Sequence, residues 1–106
     1  MSTEISVREL KAKREAGETL VLLDVREPDE LAVVSLPWAK AIPMGEVPTR
    51  LAELPAAGEI VVMCHHGGRS ERVTRFLNAN GFPQAVNLAG GIDAYAQEIE
   101  PQLARY

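Results

Sequence analysis

Short, wholly apolar runs separated by segments with helix signals constrain the fold of this chain more than any other feature. Residues 20–23 (Leu-Val-Leu-Leu) and 60–63 (Ile-Val-Val-Met) are apolar at every position rather than at alternate positions. A strand of that kind is buried on both faces, which is typical of a parallel sheet covered by helices on each side. The sequence therefore predicts an α/β fold with a mainly parallel sheet.

Helix signals lie between these strands. Ser6 and Glu9 match a capping box, so a helix should run from there to about Ala16, with Gly17 as its stop. Pro28, followed by two acidic residues, suits the first turn of a short helix. Further strands are predicted around 39–42 and over 85–88, and further helices over 49–54, 70–80 and 92–99.

Length and net charge limit the classes of function that this chain can have. The 106 residues suit one domain, which we expect to span 1–106. The net charge of -4 gives no general attraction for nucleic acid or anionic membranes. The first five residues lack the basic start of a secretion signal, and no apolar run approaches the roughly 20 residues that cross a bilayer. We expect a soluble, cytoplasmic monomer that binds neither nucleic acid nor membrane.

The segment from Cys64 to Ser70 carries the chemistry, directly after the strand at 60–63 and ahead of a helix. Cys64 is the only cysteine, so it forms no internal disulfide, and its free thiol is most easily kept in a reducing cytosol. A cysteine after a strand is most often a small buried hydrophobe. Here, however, Gly67 and Gly68 can take positive φ and let backbone N–H groups converge, and Arg69 adds a permanent positive charge. These features favour the thiolate and should lower the pKa of Cys64.

The spacing within this segment distinguishes two kinds of reaction, sulfur transfer and phosphoryl transfer. Four residues lie between Cys64 and Arg69, whereas the corresponding loop of the cysteine-dependent phosphatases has five. The shorter ring closes more tightly around the sulfur. It therefore fits a thiolate carrying one extra sulfur better than a tetrahedral phosphoryl group, and a phosphatase or arsenate reductase is disfavoured.

On these residues the chain resembles a single-domain rhodanese, a thiosulfate-type sulfurtransferase. The active loop of that family, Cys-x-x-Gly-x-Arg-Ser, is met by Cys64, Gly67, Arg69 and Ser70. Three other segments agree in the same order, and the match spans about residues 5 to 98; the segments are 23–27, 41–43 and 87–92. The resemblance implies a rhodanese-like fold with a central, mainly parallel five-stranded sheet and helices on both faces.

The resemblance also implies a sulfur transfer in two steps. Cys64 attacks the outer, sulfane sulfur of a donor such as thiosulfate, and sulfite leaves. The loop residues bind the resulting persulfide and the donor, with Arg69 orienting the sulfonate; these substrate-binding residues are His65, His66, Gly67, Gly68, Arg69 and Ser70. An acceptor then takes the sulfur, whether cyanide, a small thiol or a cysteine of another protein, and no cofactor is implied. Ping-pong kinetics are expected.

Alternatives remain open at this point. A persulfide carrier or sensor with little small-molecule turnover would use the same Cys64 loop, while an inactive interaction domain is disfavoured by the intact Cys64 and Arg69.

His65 and His66 suggest a metal ligand set with Cys64, but three adjacent residues cannot readily aim at one ion, so we expect no metal. One or both imidazoles should face the solvent mouth, and a direct general-acid role for them is the alternative. Ser70 either caps the helix or offers its hydroxyl to the sulfur.

Several supporting residues lie outside the loop. Asp24 and Arg26 are predicted to form a structural polar pair at a strand end. Trp38 replaces a glycine of the family pattern and is expected either to pack or to reshape the rim of the site, and Tyr95 stands where an aromatic residue, commonly Trp, is usual. The tail over 100–106 either lies over the domain or frays.

Overall fold

A single sheet of five parallel strands forms the centre of the protein. The computed structural model describes residues 3–106, so Met1 and Ser2 of the predicted 1–106 domain lie outside the described residues. The strands are β1 (Glu4–Ile5), β2 (Leu20–Asp24), β3 (Lys40–Ala41), β4 (Glu59–Met63) and β5 (Ala85–Leu88). Their order in the sheet is β1-β5-β4-β2-β3. All four neighbouring pairs are parallel.

Helices and short 3-10 segments connect these strands. The helices are α1 (Val7–Glu15), α2 (Pro28–Val33), α3 (Gly68–Ala79) and α4 (Gly91–Glu98), and the 3-10 segments are Met44–Thr49 and Leu51–Glu53. The capping box before α1 is confirmed, because Ser6 Oγ accepts from the Glu9 N–H and the Glu9 carboxylate accepts from the Ser6 N–H, both at 3.1 Å. No helix among residues 3–106 is long and apolar enough to cross a bilayer.

The sheet separates two apolar cores, and β4 contributes to both. Val61 and Met63 lie in the core shared with α1 and α4, while Ile60 and Val62 lie in the core shared with α3. Successive side chains of a strand point to opposite faces, so Cys64, the residue after β4, falls on the α3 side. The predicted α/β fold with helices on both faces is confirmed.

Two predictions about elements need correction. The sequence patterns identified four strands, and the fifth, β1, is only two residues long, which is too short to show a periodicity. The brief helix predicted over 49–54 is present only as the 3-10 segment Leu51–Glu53, and a first 3-10 segment, Met44–Thr49, precedes it.

A buried ion pair fixes the connection after β2. Arg26 and Asp24 are both buried, and the Arg26 Nη2 lies 2.7 Å from the Asp24 Oδ2. The same guanidinium donates to the carbonyls of Val34 at 2.9 Å and of Glu30 at 3.4 Å, so it holds α2 against the end of the sheet. The prediction of a structural polar pair is confirmed.

We predict that Asp24→Asn lowers the free energy of unfolding by about 3 kcal/mol, because the charge of Arg26 stays buried without its counterion. Urea denaturation monitored by circular dichroism measures the loss. The matched control is Glu46→Gln, which weakens an exposed ion pair with Arg50 and should cost less than about 1 kcal/mol. Equal losses in the two variants would contradict the structural role of the buried pair.

Candidate active site

The loop after β4 is closed by hydrogen bonds to the first turn of α4. The carbonyl of Cys64 accepts from the Ile92 N–H at 2.9 Å, and the carbonyl of His65 accepts from the Asp93 N–H at 3.1 Å. These carbonyls are therefore held toward α4. The N–H groups that follow in the loop turn toward the Cys64 sulfur.

The sulfur of Cys64 lies in a ring of hydrogen-bond donors. The Gly67 N–H is 3.0 Å from Sγ, and the Ser70 hydroxyl is 3.3 Å from it. Burial raises the pKa of the Cys64 thiol, but the Ser70 hydroxyl and the backbone N–H groups of Ser70, Gly67 and His66 more than offset this and hold the pKa below its ordinary value. The predicted lowering is thus present, and backbone and hydroxyl donors produce it.

Ser70 is positioned by a residue of the neighbouring strand. It lies inside α3, which Gly67 caps without a side-chain hydrogen bond, so the interpretation of Ser70 as the helix cap is wrong. Its hydroxyl lies 2.5 Å from the Asn87 Oδ1, and the Asn87 Nδ2 donates to the Gly67 carbonyl at 3.3 Å. Asn87 therefore links Gly67 in the loop to Ser70 in the first turn of α3.

The two glycines of the loop differ in role. Gly67 has a φ of +113°, a conformation that side-chain-bearing residues rarely adopt, and this brings its N–H to the sulfur. Gly68 is the first residue of α3, and its φ is not positive. A methyl group at Gly68 would meet no atom within 4 Å. Only the first of the two expected positive φ values is therefore confirmed.

Arg69 is paired with a carboxylate of α2. Its Nη1 and Nη2 lie 2.6 and 2.8 Å from the two carboxylate oxygens of Glu30. The hydrogen bonds from Arg69 lower the pKa of Glu30 to about 2, and the hydrogen bonds to Glu30 raise the pKa of Arg69 above its ordinary value. Both groups therefore stay charged at neutral pH.

The two histidine rings stack beside the loop. His66 is exposed, while the ring of His65 lies between that of His66, 3.9 Å away, and that of Tyr106, 3.8 Å away. The Tyr106 hydroxyl accepts from Arg26 at 3.0 Å and donates to Glu30 at 2.7 Å. The tail therefore lies over the domain, which confirms the first of its two predicted alternatives.

One cluster among residues 3–106 has the composition of a metal site. It consists of His65, His66 and Asp93, with one ligand atom from each residue within 4.8 Å of the others. The histidine rings are stacked, with their planes 27° apart, so their nitrogen lone pairs do not converge on one point. The carboxylate of Asp93 is also engaged by Arg105 at 3.0 and 3.4 Å. This geometry does not suit an ion.

Tyr95 lies in the core on the α1 and α4 side, and the half-buried Trp38 packs against that core. Their rings are 6.5 Å apart, and the guanidinium of Arg14 lies 3.7 Å above the Trp38 ring. Cys64 belongs to the core on the other side of the sheet. The packing role is thus confirmed for both residues, and Trp38 packs on the side of the sheet opposite to Cys64.

The structure brings most of the predicted site residues together and adds others. Cys64, Gly67 and Ser70 meet at the sulfur, while Arg69 turns to Glu30 and the histidines stack at the mouth. Sequence reasoning gave no site role to four residues that complete this arrangement: Glu30, Asn87, Gly91 and Tyr106. Asn87 did carry a signal, as the one polar residue of an apolar strand. Tyr106 carried none.

Comparison with known proteins identifies the family of this chain. The rhodanese-like domain family model matches residues 6–98. The chain is 41% identical over 99 residues to YtwF of Bacillus subtilis, which is provisionally named a sulfurtransferase; the match covers 93% of this chain and 95% of YtwF. It is 37% identical over 97 residues to YrkF of the same organism, provisionally named a sulfur carrier protein, covering 92% of this chain and 52% of YrkF.

A solved structure supports the same assignment. The rhodanese-like domain protein of Staphylococcus aureus superposes with a TM-score of 0.84 at 34% identity, covering 98% of each chain. The chain belongs to the rhodanese-like domain family. The name of YtwF and the rhodanese fold together support sulfur transfer as the general activity of this chain.

Closure of the rhodanese loop depends on Gly91. Its φ is +59°, and a Cβ there would overlap the carbonyl oxygens of Cys64 and His65. We predict that Gly91→Ala lowers the free energy of unfolding by about 3 kcal/mol. Gly68→Ala is the matched control and should change it by less than about 1 kcal/mol, because the site is open and the backbone helical. Similar losses in urea denaturation would contradict the closure.

The donor ring also predicts how the thiol titrates. Removing the Ser70 hydroxyl takes away the side-chain donor that lowers the pKa of Cys64, so in Ser70→Ala that pKa should rise. Because Cys64 is the only thiol, the ultraviolet absorbance of the thiolate against pH reports it directly. Thr74→Val is the control. It removes a buried hydroxyl of α3 that donates to the Ser70 carbonyl, and it should leave the midpoint of the Cys64 titration unchanged.

Proposed function

We propose that this rhodanese transfers sulfane sulfur from a donor such as thiosulfate to a thiophilic acceptor through a persulfide on Cys64. The observation that carries the proposal is the donor ring around the Cys64 sulfur, with the Gly67 N–H at 3.0 Å and the Ser70 hydroxyl at 3.3 Å. Such a ring stabilises a thiolate before reaction and a persulfide anion after it.

The first step forms one S–S bond and breaks another. The Cys64 thiolate donates an electron pair to the outer sulfur of thiosulfate, and the S–S bond of thiosulfate breaks so that sulfite leaves with its pair. The enzyme then carries a persulfide anion, and the total charge is unchanged. In the second step cyanide or a thiolate attacks the outer sulfur, and Cys64 returns to its thiolate.

The loop geometry suits this intermediate. The backbone N–H groups of His66, Gly67 and Ser70 act on the Cys64 sulfur, and the exposed His66 lies at the mouth, where a donor enters. Arg69, after the loop, supplies the charge for the sulfonate of a donor. A single free thiol of this kind suits a reducing compartment, so the proposal includes a cytoplasmic location.

A second candidate function is persulfide carriage between proteins. The similarity to YrkF, whose name is that of a sulfur carrier, favours it. The half-buried loop would then accept sulfur from one protein cysteine and pass it to another, with little turnover on small donors. Both functions need the Cys64 persulfide, so they differ in the acceptor and not in the intermediate.

The persulfide predicts a specific mass change. Treatment of the purified protein with thiosulfate should add the mass of one sulfur atom, and subsequent addition of a thiol should remove it. Intact-protein mass spectrometry measures both changes. The Cys64→Ser variant should show no gain and should lose at least about a thousandfold of any transferase rate, because the hydroxyl is a far weaker nucleophile.

A steady-state assay separates the two candidate functions. Turnover with thiosulfate and cyanide supports the enzyme. A persulfide that forms but turns over only when a partner protein with a reactive cysteine is present supports the carrier. Absence of the mass gain with thiosulfate and with small-thiol persulfides would contradict both.

A further inference from the structure

Arg69, the cation that follows the cysteine loop, is already paired with a carboxylate in this protein. Both terminal nitrogens of Arg69 donate to the two carboxylate oxygens of Glu30, at 2.6 and 2.8 Å. Such a bidentate pair uses one of the guanidinium edges that can bind a sulfonate through two parallel hydrogen bonds. A donor that binds Arg69 must therefore displace a carboxylate or share the guanidinium with it.

Glu30 is held in this position by further donors. Its Oε1 accepts from the Glu27 N–H at 3.0 Å, within the first turn of α2. Its Oε2 accepts from the Tyr106 hydroxyl at 2.7 Å. The Tyr106 ring is in turn fixed by stacking on His65, 3.8 Å away with the planes 7° apart. Glu30 is thus held in a defined position at the mouth of the site.

The charge of Glu30 opposes some donors more than others. With a pKa of about 2, Glu30 is ionised whenever the thiolate is present. A carboxylate beside the binding cation repels a dianion about twice as strongly as a monoanion. Thiosulfate is a dianion, whereas an alkyl thiosulfonate presents the same sulfane sulfur on a monoanion and leaves as a sulfinate.

We propose that Glu30, held by Tyr106, is a specificity-determining residue that occupies Arg69 and disfavours dianionic sulfur donors relative to donors of lower negative charge. The proposal rests on the proposed function and names the class of donor for the same site. Donors with a weakly charged leaving group, among them thiosulfonates and protein persulfides, then suit this site better than thiosulfate.

The test compares two donors in the intact protein. The rate of persulfide formation per molar donor is measured with thiosulfate and with methanethiosulfonate, by mass spectrometry, for the wild type and Glu30→Gln. The amide removes the negative charge and frees one side of Arg69. We expect the thiosulfate rate to rise about tenfold and the methanethiosulfonate rate to change less than about threefold.

A matched control uses the same substitution on a comparable pair elsewhere. Glu53 forms a bidentate pair with Arg50, at 2.6 and 2.9 Å, in the 3-10 region. Glu53→Gln should change neither rate. An unchanged or lower ratio of thiosulfate to methanethiosulfonate rate in Glu30→Gln would overturn the proposal, as would an equal rise for both donors.

A binding measurement keeps this inference separate from the proposed function. In the Cys64→Ser background no sulfur moves, and calorimetry gives the affinity for thiosulfate with and without Glu30→Gln. We expect about fivefold tighter binding with the second substitution, and equal affinities would overturn the proposal. Failure of the proposed function shows instead as no mass gain in the wild type, with the binding difference intact.

A second variant guards against misfolding. Tyr106→Phe keeps the ring that stacks on His65 and removes only the hydroxyl that fixes Glu30. We expect it to raise the ratio of thiosulfate to methanethiosulfonate rate about twofold, in the direction of Glu30→Gln. Thermal unfolding of each variant checks its fold, and if Glu30→Gln does not fold, an unchanged ratio in Tyr106→Phe overturns the proposal.

Discussion

The closure of the Cys64 loop against the first turn of α4 is the constraint on which the site depends. A trans peptide group has its carbonyl and its N–H on opposite sides, so the His65 carbonyl, held toward Asp93, turns the N–H of His66 to the other side, toward the sulfur. The contact leaves no room for a side chain at Gly91. Gly91 is thus part of the cysteine loop in space, although it lies far from Cys64 in sequence.

A second chain of contacts sets the charge at the mouth. The buried Asp24 fixes Arg26, and Arg26 binds carbonyls of α2, which carries Glu30. Glu30 then determines what Arg69 can bind. A strand-end ion pair that looks purely structural therefore contributes to donor choice in the proposed reaction. Backbone and hydroxyl donors lower the pKa of the thiol, so the guanidinium is left to act on the rest of the donor.

The sequence was informative where structure is local and less so where it is not. Continuous apolar runs predicted β2 and β4, and the spacing of Cys64 to Ser70 predicted the loop, because both depend on neighbouring residues. The two-residue β1 exists only through its pairing with β5. The pairing of Arg69 with Glu30 and the stacking of Tyr106 on His65 are contacts between distant parts of the chain. No pattern of neighbours encodes such contacts.

The Ser70 hydroxyl takes part in both a local and a long-range contact. It has one proton to donate and two possible acceptors, the Cys64 sulfur and the Asn87 oxygen. It lies 2.5 Å from the Asn87 oxygen and 3.3 Å from the Cys64 sulfur. With a neutral thiol, the amide oxygen is the better acceptor; with a thiolate, the charge on sulfur favours donation to it. In the proposed reaction the charge moves outward to the new terminal sulfur, and the Ser70 hydroxyl then donates again to the Asn87 oxygen. Rotation of one hydroxyl is thus enough to match the donor to each state of the proposed reaction.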